Sequence, residues 1–99
     1  IMSLGGKGVI SVLSNCLPFE THEICKLCLE NNYKEARAKA FKIHDFTSML
    51  FCDVNPIPVK EALNLMGFNA GPCRLPLVEM SDEKKKQLAD SMKSIGLIK

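Results

Sequence analysis

Residues Gly8–Ser14 read Gly-Val-Ile-Ser-Val-Leu-Ser, and this stretch constrains the fold more than any other. Val9, Ile10, Val12 and Leu13 form a short, β-branched, nearly continuous apolar run. Such a run suits a strand buried on both faces, as in a parallel sheet. Gly5, Gly6 and Gly8 mark a turn or a close backbone approach ahead of it. A strand's N–H and C=O groups must pair with neighbours, and no second convincing strand follows in the sequence. The chain therefore carries one strand and nothing obvious to pair it with.

The remainder reads as about four helices. Pro18 suits a first helical turn, and Ile24, Leu27 and Cys28 extend one apolar stripe towards Asn31 and Asn32. Asn tolerates the left-handed conformation and is a plausible terminator there. A longer helix is expected over Tyr33–Phe51, where Ala36, Ala40, Ile43, Phe46 or Thr47, and Leu50 keep helical spacing. Asn55-Pro56-Ile57-Pro58 breaks it. Pro58 opens the next helix, whose face is Val59, Ala62, Leu63 and Met66, with Gly67 as its stop. Residues 68–80 hold Gly71, Pro72 and Pro76 and read as an extended loop. Ser81 is an N-cap for a last helix bearing Leu88, Met92 and Ile95, closed by Gly96.

Size and charge remove several functions. A chain of 99 residues is one domain at most. It cannot be a complete (β/α)8 barrel, which takes about 200–250 residues. A net charge of +2 with 13 basic and 11 acidic residues supplies no basic face for nucleic acid. Lys84-Lys85-Lys86 follows Asp82-Glu83 and reads as a solvated helix face. No apolar run approaches the ~18 residues of a membrane span. Five cysteines, an odd number without a visible secretory signal, fit free thiols in a reducing cytosol, so a cytoplasmic location is expected. The chain opens on Ile1 with Met2 behind it, which suggests a tag remnant, a processing product or a cut through a longer protein.

No complete catalytic constellation is present. Cys25-Lys-Leu-Cys28 lacks the second pair a zinc site needs and falls mid-helix, away from the helix N-terminus that activates redox thiols. Gly5-Gly6-Lys7-Gly8 leads into a strand, unlike either phosphate-binding glycine motif. Lys7 lacks the apolar wall that lowers the pKa of a Schiff-base lysine. His44 and Asp45 are adjacent on a helix and point about 100° apart. No metal and no cofactor is expected.

Three stretches together carry a resemblance. GGKGVISV (Gly5–Val12), NPIPVK (Asn55–Lys60) and RLPL (Arg74–Leu77) look like the C-terminal portion of the dihydrodipicolinate synthase family, within the pyruvate-dependent class I aldolase superfamily that includes N-acetylneuraminate lyase. The resemblance implies a (β/α)8 TIM barrel followed by a helical C-terminal extension. Residues 1–32 would be the last strand and helix of the barrel, and residues 33–99 the extension. The barrel's first and seventh strands would then be the missing partners of Gly8–Ser14. In the family a lysine forms a Schiff base with pyruvate, and the enamine attacks aspartate semialdehyde. The resemblance places that lysine and the catalytic tyrosine upstream of this chain, so the chain alone is expected to be inactive. It carries over one contact, Ile10, against bound pyruvate. The resemblance implies a homo-oligomer, with no nucleic acid or membrane partner. Two alternatives stay open: a fragment of another pyruvate-dependent aldolase such as N-acetylneuraminate lyase, and a stand-alone helical module that self-associates through its apolar stripes.

Overall fold

The computed structural model describes residues 1–99 and contains five α-helices, two short 3-10 turns and no β-strand. The 3-10 turns are Met2–Leu4 and Leu13–Asn15. The helices are α1 (Pro18–Leu29), α2 (Tyr33–Lys42), α3 (His44–Met49), α4 (Ile57–Leu65) and α5 (Asp82–Ser94). No helix is long and apolar enough to cross a membrane. The chain divides into two compact units, Ile1–His44 and Asp45–Lys99.

The expected strand at Gly8–Ser14 is not formed. Residues 6–11 have no regular structure, Val12 has helical angles (φ −63°, ψ −42°), and Leu13 and Ser14 belong to a 3-10 turn. The Ser14 N–H donates to Ser11 Oγ at 3.2 Å and the Ser14 hydroxyl to Ser11 C=O at 2.7 Å, which closes that turn. The physical reason is that a β-strand is completed by hydrogen bonds from another segment. An apolar run can ask for a ladder but cannot supply its other side.

Local capping explains the helix ends. Pro18 opens α1 at its first turn. At its end Asn31 takes φ 60°, and Asn32 N–H reaches Leu27 C=O at 2.8 Å while Asn31 N–H reaches Cys28 C=O at 3.0 Å. That is a Schellman closure with Asn in the left-handed place. Gly67 (φ 90°) and Gly96 (φ 73°) close α4 and α5 in the same way, through Phe68 to Leu63 and Leu97 to Met92. Ser81 caps α5, its Oγ accepting from Lys84 N–H at 3.4 Å.

The single helix expected over Tyr33–Phe51 is two helices. Ile43 separates α2 from α3 with φ −110° and ψ 8°, and its N–H turns to Ala40 C=O at 3.3 Å in a three-residue step. Ile43, Phe46 and Leu50 are all buried. The apolar spacing thus runs unbroken through a one-residue backbone break, with no Gly or Pro to announce it.

In the first unit, α1 packs on α2 and on the Leu13–Asn15 turn. Cys16, Leu17, Leu27, Ala36 and Ile43 are its buried apolar residues. In the second unit α4 packs on α5. Phe46, Leu50, Ala62, Leu88 and Met92 there have no exposed surface. Of the expected α4 face, Val59 and Ala62 are buried, whereas Leu63 and Met66 are half-buried.

Candidate functional site

Two places could bear on function, one in each unit. The first is the irregular stretch Lys7–Ile10, between two fastened turns. The Gly6 N–H donates to Ile1 C=O at 3.2 Å on one side, and the Ser11–Ser14 bonds hold the other. Val9 is 61% exposed and Ile10 is fully exposed. Ile10, the one residue singled out for substrate contact, therefore stands at the surface of this chain and contributes nothing to its core. A Cβ added at Gly8 would meet nothing within 4 Å, whereas one added at Gly6 would meet Ile1 Cγ2 at 2.8 Å, so the flanks of Lys7 are walled on one side at most. Lys7 lacks the apolar enclosure that imine chemistry requires.

The second place is a cleft of about 610 Å³ in the unit Asp45–Lys99, between α4, the loop 67–80 and the start of α5. The sequence reading did not find it, because its walls come from three separated segments. Asn64 builds it: its Nδ2 donates to Gly71 C=O at 3.2 Å and its Oδ1 accepts from Gly71 N–H at 3.1 Å. The amide thus imitates a backbone partner for the loop. Lys60 Nζ donates to Pro72 C=O at 2.8 Å beside it. At the far rim Lys85 Nζ bonds Glu79 Oε2 at 2.7 Å. An Asn followed seven residues later by Gly in a Pro-rich loop is the only trace this device leaves in the sequence.

These lysines hold the loop in place. The hydrogen bond from Lys85 keeps the Glu79 carboxyl below its ordinary pKa, and the Glu79 carboxylate keeps the Lys85 ammonium above its own. Asp53 does the same for Lys84, which bonds its Oδ2 at 2.9 Å. A Schiff-base lysine needs the opposite shift, towards the free amine. Lys84 and Lys85 are therefore poor imine formers.

The Asp53–Lys84 pair makes a signed pH prediction. The Lys84 hydrogen bond, then the Val54 N–H at 2.9 Å, lower the Asp53 pKa from its ordinary 3.8. Its contribution to stability is present above pH 3.8 and is lost as pH falls through the lower folded value. Lys84 is raised above 10.5, so its contribution is complete below that pH and fades above it. Both side chains are partly exposed, so salt should weaken the pair. Urea midpoints measured from pH 7 down to pH ~2.5 should fall less steeply for Asp53→Asn than for the parent chain. Equal acid slopes would show that the pair does not couple folding to protons.

The remaining candidates stay apart. All five cysteines are free thiols, with Cys25 and Cys28 half-buried along α1. Burial pushes the Cys16 thiol up, away from reactivity. No three His, Cys, Asp or Glu side chains converge as a metal site would require. His44 and Asp45 are both exposed at the start of α3.

The model of the dihydrodipicolinate synthetase family matches residues 1–95. A 4-hydroxy-tetrahydrodipicolinate synthase from Lachnoclostridium phytofermentans is 53% identical over 98 residues, 99% of this chain and 33% of that protein. A crystal structure of dihydrodipicolinate synthase superposes with a TM-score of 0.96 at 48% identity, over 98% of this chain and 34% of that one. The chloride-inhibited enzyme from Acinetobacter baumannii complexed with pyruvate gives 0.93 at 36% identity, over 98% and 33%. The chain thus spans about a third of the length of the curated relatives it matches.

Proposed function

The chain belongs to the dihydrodipicolinate synthetase family, and from that premise we propose that it is the C-terminal third of a 4-hydroxy-tetrahydrodipicolinate synthase. The observation that carries the reading is the match along nearly the whole chain, in sequence and in shape, to one third of enzymes of that name. In this reading residues 1–32 are the last strand and helix of a (β/α)8 barrel, and residues 33–99 its helical extension. The parent enzyme is a cytoplasmic, homo-oligomeric lyase of lysine and diaminopimelate biosynthesis. Five free thiols suit the reducing compartment.

The parent's chemistry needs a lysine amine, pyruvate and aspartate semialdehyde, and no cofactor. The amine and the pyruvate ketone lose water to form an imine. Loss of a methyl proton gives the enamine, whose carbon attacks the aldehyde. The amine and the catalytic tyrosine belong to the missing two thirds. Ile10 is this chain's contribution to the pocket. Catalytic pockets of such barrels lie at the C-terminal ends of the strands. An apolar side chain there excludes water from the imine and disfavours the charged form of the lysine. Ile10 is fully exposed within these 99 residues, which leaves its side chain free to form a wall shared with other segments.

A chimera tests the reading. The last third of the Lachnoclostridium phytofermentans enzyme is replaced by this chain, and condensation is assayed with pyruvate and aspartate semialdehyde. Activity within about tenfold of the parent, ~1.4 kcal/mol in the barrier, is expected. Incubated with pyruvate and borohydride, the 99-residue chain by itself should gain no reduced adduct, whereas the chimera should gain one. An adduct on a lysine of the free chain, or a folded chimera without activity, would overturn the proposal.

A further inference from the structure

Asn64 and Gly71 meet through two hydrogen bonds that run in opposite directions. Asn64 Nδ2 donates to Gly71 C=O at 3.2 Å, and Gly71 N–H donates to Asn64 Oδ1 at 3.1 Å. Gly71 takes φ 70°, a left-handed value that suits glycine, and offers both of its backbone groups to the one amide. The amide has a single orientation here, because its flip would set donor against donor and acceptor against acceptor. The next residue is fastened too, Pro72 C=O accepting from Lys60 Nζ at 2.8 Å. Arg74–Leu77 follows after Cys73 and is closed by a bond from Leu77 N–H to Arg74 C=O at 3.1 Å.

We propose that Asn64 is the positioning residue of the loop 67–80: its neutral side chain locks residues 67–73 onto α4 and sets where Arg74–Leu77 begins. A side chain at this place must donate and accept at once. A carboxylate there accepts twice and turns an oxygen against the Gly71 carbonyl. Its protonated form donates and accepts as the amide does. A leucine fills similar space and does neither. The second half of the loop has its own fastening, Glu79 Oε2 on Lys85 Nζ at 2.7 Å, and ends on buried Met80. The two halves should therefore loosen separately. The lock consists wholly of residues of this chain, so it does not depend on which enzyme the chain completes.

The full-length chimera tests it, through hydrogen-exchange protection of residues 69–73 and 77–81 at pH ~7.5 and pH ~4.5. The unaltered chimera should protect 69–73 equally at both, because an amide does not titrate. Asn64→Leu should lower that protection at least about tenfold at both pH values and leave 77–81 within about twofold. Asn64→Asp should show the same loss at pH ~7.5 and return to within about threefold of the unaltered chimera at pH ~4.5. The Gly71 carbonyl disfavours the charged form of the introduced carboxyl. The titratable groups lining the same cleft are Lys60, Glu61, Cys73, Glu79 and Lys85. Of these, Lys60 and Lys85 favour the charged form, and Glu61 and Glu79 the neutral one. Glu79 keeps most of its own charge over this range, since the Lys85 hydrogen bond holds its pKa below 4.5. Glu79→Gln should loosen 77–81 and spare 69–73. Full protection of 69–73 in Asn64→Leu, no recovery of Asn64→Asp in acid, or equal loosening of 69–73 by Glu79→Gln would each sink the proposal. The readout needs no turnover, so a folded but inactive chimera counts against the family reading and leaves this test standing.

Discussion

Ile10→Asp in the chimera should lower kcat/KM for condensation by about 100-fold, ~2.7 kcal/mol of transition-state stabilisation. In the pocket proposed for Ile10, a carboxylate acts in two ways. It stabilises the neighbouring ammonium, raising the lysine pKa and reducing the amine fraction that can attack pyruvate. It also brings water to a centre that works better dry. The activity profile should therefore shift to higher pH, and borohydride trapping should follow the same shift. Ile10→Val keeps the apolar wall and should stay within a few-fold of the unaltered chimera. An Ile10→Asp chimera with an unchanged pH profile would remove Ile10 from the pocket. In the free chain the same substitution should be nearly silent in stability, because Ile10 is fully exposed there.

Phe46→Ala should destabilise the fold by about 3–5 kcal/mol, the range for emptying a buried aromatic site. Phe46 is one of the largest side chains with no exposed surface, and it lies on the six-residue helix α3, which has little stability of its own. Loss of the ring removes both its transfer free energy and its contacts, so α3 should fray with it. Phe41, one turn and a half earlier on α2, is 71% exposed and makes the control. Phe41→Ala should change stability by less than about 0.5 kcal/mol. Urea denaturation followed by circular dichroism measures both. Similar costs at the two positions would mean that burial does not determine which aromatic holds the fold.

Helix ends were the most legible part of the sequence. Asn31, Gly67 and Gly96 mark their stops because a left-handed residue is a local requirement that few side chains meet. Pro18 and Ser81 mark starts for equally local reasons. The break at Ile43 was not legible, because buried Ile43, Phe46 and Leu50 preserve helical spacing across it. The cleft was not legible either. Asn64 and Gly71 become partners only when the loop folds back on α4. The lysines of α5 read as a solvated face, yet Lys84 and Lys85 each reach a carboxylate on a different preceding segment.

The sequence by itself determined most helix ends and, through GGKGVISV, NPIPVK and RLPL, the family, but not the break at Ile43. Only the tertiary structure decided the fate of the apolar run that opens the chain. A helix takes its hydrogen bonds from residues four places away, so its instructions travel with the segment. A strand takes them from another part of the fold. Val9–Leu13 carries the composition of a buried strand, and within these 99 residues no strand pairs with it.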